Sequence, residues 1–340
     1  VPVAVAFIRI PGTFDLVSDC DVLYADSGPD LLVFNILNPA SPALIQRIPN
    51  ALPGLDRFRG YSADPSRGVV INWTSEEKVS QVRECDFIPP EVWMMNPVIP
   101  GVNDDSQTRG SSAVSGQAGS LSRFSAAEGN LYVVTPSELK VFDASNCQAP
   151  SLLSSIDIQS RMWGGEAETV FAYERMLFVG SQTGMFIFDN ANPDAPVFIS
   201  QFDHAAACDP VVVSGDYAYV TLRAEQENRC FGFNNELDVV NVSNPYNPFL
   251  LHSYGMEGPQ GLGIDGNLLF VTEGDLGFKL FDATNPENGL QQLTHFAEKP
   301  GFDVIASKGL LIMVGSEGIS QYDYSDPTNI SLLSFMAAVR

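Results

Sequence analysis

Trp163 stands just before two carboxylates, Glu166 and Glu168. An indole beside a pair of carboxylates can stack on a sugar ring and offer it an acid and a base, or can hold calcium. Asp104, Asp105, Phe231 and Phe233 lie in two irregular segments and join Trp163, Glu166 and Glu168 as a candidate ligand or partner face. More specific chemistry is missing. His204, His252 and His295 are the three histidines, and none stands at a metal-ligand spacing from another. There is no nucleophile-elbow, zinc-helix or phosphate-loop word, and the Gly261–Gly263 pair precedes no helical pattern. No catalytic residue and no metal site are assigned, and the chain is expected not to be an enzyme. No cofactor is expected, with calcium on the acidic face the one exception the carboxylates allow.

The five cysteines form no CxxC pair. Cys208 starts the unit at 205–255 and Cys230 sits in that unit's long B–C loop on the same face; they are the pair expected to form a disulfide, which would pin the loop and mark an oxidising compartment. Cys20, Cys85 and Cys147 fall on three different units near the opposite face and are expected to be free.

A formal charge of −23 makes the chain a poor partner for phosphate backbones, so nucleic acid is excluded. The same charge and the scarcity of lysine exclude anionic membrane surfaces. No run reaches the ~18 apolar residues of a spanning helix. The chain opens at Val1 with no basic leader and reads as a processed or truncated product.

What must position these residues is a repeat. An apolar run followed by Asp or Asn, two small residues, a second Asn or Asp and usually Pro recurs as LLVFNILNP, LKVFDASNC, MFIFDNANP, LDVVNVSNP, FKLFDATNP and ISQYDYSDP. The marker residues are Asn35, Asp143, Asp189, Asn241, Asp282 and Asp323, and the last four intervals run from 41 to 52 residues. That period, with four short strands per unit, is the mark of propeller blades. The gap from Asn35 to Asp143 is wide enough for two units. RGVVINWTSEEKVSQVRECD (67–86) fills it as a worn copy of KGLLIMVGSEGISQYD (308–323).

The expectation is an all-β, seven-bladed β-propeller of four-stranded antiparallel blades, with six or eight blades as alternatives. The blades fall at about 11–52, 53–98, 117–160, 161–204, 205–255, 256–298 and 299–340, with 99–116 a flexible Gly/Ser-rich insertion. Residues 1–10 hold the strand-like VAVAFIRI, which has no unit of its own; it is expected to pack as an orphan strand on the closing blade.

Strand C followed by D-x-S-N-P, seen here as LKVFD, MFIFD, LDVVN and FKLFD, resembles the LVIVD-repeat family. FIRIPGTFDLVSDCDVLYADSGPDLLVFNI (7–36) is similar to the N-terminal part of members from Gram-negative bacteria with elaborate outer surfaces. The resemblance implies an exported, propeller-forming protein and carries no catalytic signature. The function expected from it is a non-enzymatic interaction module, a subunit of a cell-surface, extracellular or outer-membrane assembly whose partners are other surface or outer-membrane proteins. The alternative is a carbohydrate-binding or carbohydrate-acting propeller using the Trp163/Glu166/Glu168 mouth. Oligomeric state is left open.

Overall fold

The computed structural model describes residues 5–55, 119–162, 165–204, 210–224, 235–297 and 299–338. The first blade is β1 (Leu16–Asp19), β2 (Val22–Ser27), β3 (Asp30–Asn35) and β4 (Ala43–Ile48). The second is β5 (Phe124–Ala127), β6 (Asn130–Val134), β7 (Glu138–Asp143) and β8 (Ser151–Asp157). The third is β9 (Ala167–Tyr173), β10 (Met176–Ser181), β11 (Gly184–Asp189) and β12 (Val197–Asp203). The fourth is β13 (Val211–Ser214), β14 (Tyr217–Leu222), β15 (Glu236–Asn241) and β16 (Phe249–Gly255). The fifth is β17 (Leu262–Asp265), β18 (Leu268–Thr272), β19 (Phe278–Asp282) and β20 (Gln291–Phe296). The sixth is β21 (Asp303–Ser307), β22 (Leu310–Gly315), β23 (Gly318–Asp323) and β24 (Ser331–Ala337). Each sheet is antiparallel, with its strands in chain order.

The protein is an all-β propeller, and among the described residues the blades number six, not seven. The unit read at 53–98 and the insertion at 99–116 lie outside the described residues, apart from residues 53–55. Tyr24, Leu31 and Val33 of the first blade share one core with Phe124, Leu131 and Val133 of the second, so nothing stands between those two blades. The orphan strand expected at 1–10 is not formed over its described part: residues 5–10 belong to no sheet, and Phe7 is 83% exposed.

Strands B and C of blades two to four are buried along nearly their whole length, because each of their faces packs on a different neighbour. In blade three, Leu177, Val179, Phe186 and Phe188 face blade two while Phe178, Met185 and Ile187 face blade four. Every marker residue closes the same Asx turn. Asn35, Asp143, Asp189, Asn241, Asp282 and Asp323 each accept, through Oδ1, the backbone N–H two residues on, at 2.8–3.1 Å. The hydroxyl and backbone N–H of Ser145 and of Thr284 hold the carboxyls of Asp143 and Asp282 below the ordinary aspartate range, and the backbone N–H and hydroxyl of Ser325 do the same for Asp323.

The pairing of strand C with strand D slips by one residue at the same place in all six blades. The extra residue on strand D is Ile45, Leu153, Ile199, Leu251, Leu293 or Leu333, always aliphatic.

Two cysteines expected to be free are joined. Cys20, in the β1–β2 turn, and Cys147, in the β7–β8 turn, form a disulfide with a Cα separation of 6.3 Å. The Tyr24 hydroxyl donates to the Cys147 carbonyl at 2.7 Å across the same seam. The sequence reading had separated these cysteines by inserting a blade between their units; with the first two blades adjacent, the turns meet.

Candidate functional site

Strand A is the innermost of each blade, and consecutive A strands pack on one another around the ring. Their first residues therefore converge at the axis, and the segment Gly119–Arg123 runs among them. The Asp303 carboxylate, at the head of β21, accepts from the Ser120 hydroxyl at 3.0 Å, the Leu121 N–H at 3.4 Å and the Val304 N–H at 2.9 Å. Ser120 Oγ in turn accepts the Leu262 N–H of blade five at 2.7 Å. Gly119 and Gly261 flank this carboxylate so closely that a Cβ on either would overlap its oxygens. Burial pushes the Asp303 carboxyl up to about 6, against the lowering effect of its hydrogen bonds.

Beside it, Asp26 at the end of β2 gathers the loop that opens blade one. Its Oδ1 accepts the Thr13 hydroxyl at 3.0 Å and the Phe14 and Asp15 N–H groups at 2.9 and 2.8 Å. Its Oδ2 is buried with no hydrogen-bond partner, and burial raises its carboxyl above the ordinary range. Asp15 is pushed up to about 7, first by burial and then by the charges of Asp26 and Asp303, with Arg123 opposing. Arg123 is the cation here: its Nε lies 3.8 Å from Asp15 Oδ2, its backbone N–H donates to the same oxygen at 3.3 Å, and its Nη1 donates to the Ala167 carbonyl of blade three at 3.4 Å.

The axial cluster thus ties blades one, two, three, five and six through charged and polar groups. Its chemistry is that of fastening. Asp303 is held by three hydrogen bonds and flanked by two glycines, and burial pushes the Asp15 carboxyl up to about 7. None of Asp15, Asp26, Arg123 and Asp303 was singled out from sequence. A signal was there: Pro-Gly-Thr-Phe-Asp at 11–15 and Pro-Gly-Phe-Asp at 300–303 open the first and last units with the same word.

Of the residues the sequence did single out, Glu166 and Glu168 fall at the entry to blade three. Glu166 is exposed, and Glu168 accepts from the Gln182 side chain at 2.9 Å. Trp163, Asp104, Asp105, Phe231, Phe233, Cys208 and Cys230 lie outside the described residues, so no aromatic platform beside the glutamates is described. His252 and His295 sit on the outer strands β16 and β20 and contact the carbonyls of Glu287 and Leu276 at 3.1 and 2.7 Å. Glu273 is buried and neutralised by Lys279 at 2.7 Å. Among the described residues, one group of three ligand-type side chains lies within metal-ligand reach, Asp19 with Cys20 and Cys147. Its two sulfurs are consumed by the disulfide, leaving a single carboxylate.

Residues 206–255 match the model of the LVIVD repeat. No curated protein matches the sequence. Among solved structures, a candidate 6-phosphogluconolactonase of Bacteroides fragilis superposes with a TM-score of 0.58 at 9% identity, covering 94% of this chain and 82% of its own. A Lactobacillus plantarum protein gives 0.58 at 11% identity, with coverage of 95% and 84%. BamB of Moraxella catarrhalis gives 0.51 at 7% identity, with coverage of 90% and 70%. At such identities the likeness is one of fold alone.

Proposed function

From the premise that this chain carries the LVIVD repeat on a propeller scaffold, we propose that it is a non-enzymatic protein–protein interaction module, exported and built into a cell-surface or outer-membrane assembly. The observation that carries this reading is the apolar rim. Among the described residues strand D is the outer edge of every blade and carries an aliphatic residue at its bulge; Ile45, Leu153, Leu293 and Leu333 are exposed, while Ile199 and Leu251 lean on the cores of blades three to five. Leu44, Leu152, Leu250 and Leu332 are exposed beside bulge residues. Scattered apolar side chains are ordinary on a protein surface, but the same kind of residue at the same register on successive outer strands makes a belt that a partner can cover. An unpaired strand edge adds main-chain donors and acceptors to that belt.

The test is isolation from the native source under mild conditions, followed by the double substitution Leu153→Asp and Leu333→Asp. The expected result is co-purification with a surface or outer-membrane protein, lost in the variant while melting is unchanged. Recovery of the native protein as a lone monomer, or a partner retained by the variant, overturns the proposal.

A further inference from the structure

Six blades in a ring need six interfaces, and the described residues supply five. Apolar cores join blades one to two, two to three, three to four, four to five and five to six. The sixth blade uses only one of its faces. Val304, Leu311, Met313 and Tyr322 pack on Phe270 and Phe278 of blade five. On the opposite face the strand register gathers Ile305, Leu310, Ile312, Val314, Ile319 and Met336, interrupted by Ser307, Gln321, Asp323 and Ser334. Leu310, Val314 and Met336 are 36%, 46% and 45% exposed there. In blade three the equivalent residues of strands B and C are buried on both sides.

We propose that this face of the sixth blade is the docking site for residues 56–118 of the same chain, so that one unit of the ring stands out of sequence order. Three observations favour that occupant over a second copy or a foreign partner. The stretch contains RGVVINWTSEEKVSQVRECD (67–86), which copies the strand B–C region of the sixth blade itself and brings the apolar run Val69–Ile71. Neighbours built on one pattern are what cover one another in a repeat ring. The stretch is longer than the 41 to 52 residues that separate successive markers, so it holds a full unit and its connections. Where it ends is the strongest argument. Its far end delivers the chain to Ser120 and Leu121, both hydrogen-bonded to Asp303, the first residue of the sixth blade, rather than directly to blade two. A stretch confined beside blades one and two would have no reason to re-enter across the ring. This inference stands apart from the partner reading above: it concerns a face of the sixth blade, not the rim.

Lysine scarcity makes the test sharp. Lys78 is the one lysine between residues 56 and 118, and Lys299 and Lys308 are those of the sixth blade, with Lys140 in blade two and Lys279 in blade five. Amine cross-linking of the whole protein, read by mass spectrometry on the monomer band, is expected to join Lys78 to Lys299 or Lys308. A Lys78–Lys140 link without either of these, or links found only in a dimer band, overturns the proposal. Independently, Val314→Asp is expected to lower the Tm by at least ~3 °C and to speed tryptic cutting at Arg67 and Arg83 about tenfold or more. A bare face would tolerate that change. Unchanged melting, or wild-type cutting at Arg67 and Arg83 as fast as in the variant, likewise overturns it.

Discussion

Asp303 and Asp15 show what one carboxyl can do when it is sunk at the meeting point of several blades. Both have folded-state values above the ordinary aspartate value, at about 6 and about 7, chiefly through burial. The folded protein therefore keeps protons that the unfolded chain releases, and stability from these groups is greatest near pH 4 and is lost as pH rises through 6 and 7. The melting temperature is expected to fall between about pH 4 and about pH 7, and Asp15→Asn is expected to flatten most of that fall by keeping the acceptor and removing the charge. Differential scanning across pH checks this; an Asp15→Asn profile as steep as the wild type would remove the assignment. These aspartates were hard to read from sequence because nothing local marks them. Their burial comes from Gly119–Arg123 and Gly261, residues far away along the chain, whereas the marker aspartates are legible because their hydrogen-bond partners lie two positions on.

At the scale of the element, the unit of construction is a bulged C–D hairpin closed by an Asx turn. Each marker satisfies one N–H at the turn, and Asn241 and Asp282 hold further side-chain contacts as well. Asp282→Ala, which also loses the Asn267 and Thr284 side-chain contacts, is expected to destabilise by roughly 0.5–1.5 kcal/mol in a denaturant melt. The slip in strand C–D register leaves one residue extra on each fourth strand, so its period-two alternation breaks in mid-strand. The Cys20–Cys147 bridge is an element-level surprise of another kind. Spacing along the chain could not pair two turns 127 residues apart, and the assumed intervening blade argued against the pairing. Loss of the bond through Cys20→Ser is expected to cost about 3–5 kcal/mol, read as the difference between oxidised wild type and variant in guanidinium unfolding. Equal midpoints would show that the seam holds without it.

For the whole molecule, the sequence settled the architecture and left the assembly of the ring unsettled. The propeller was legible because six copies of one turn, each preceded by an apolar strand, leave few other ways to bury so many apolar strands. Counting blades from intervals also assumed that neighbours in the chain are neighbours in space. The contact between Tyr24 of blade one and Cys147 of blade two breaks that assumption. Of the candidate site, Glu166 and Glu168 fall at the entry to blade three and the other candidates lie outside the described residues, while the groups that gather at the axis carried no local mark in the sequence. The surface argues for partners through its rim, at a scale no single motif displays.

The bond between Cys20 and Cys147 also turns the chain between them into a covalent macrocycle. Residues 56–118 lie inside it. A protease that nicks the polypeptide anywhere in that stretch yields two pieces that still travel as one molecule until a reductant separates them. Outside the cell, where reductants are scarce, a cut there leaves the protein severed in sequence and undivided in substance.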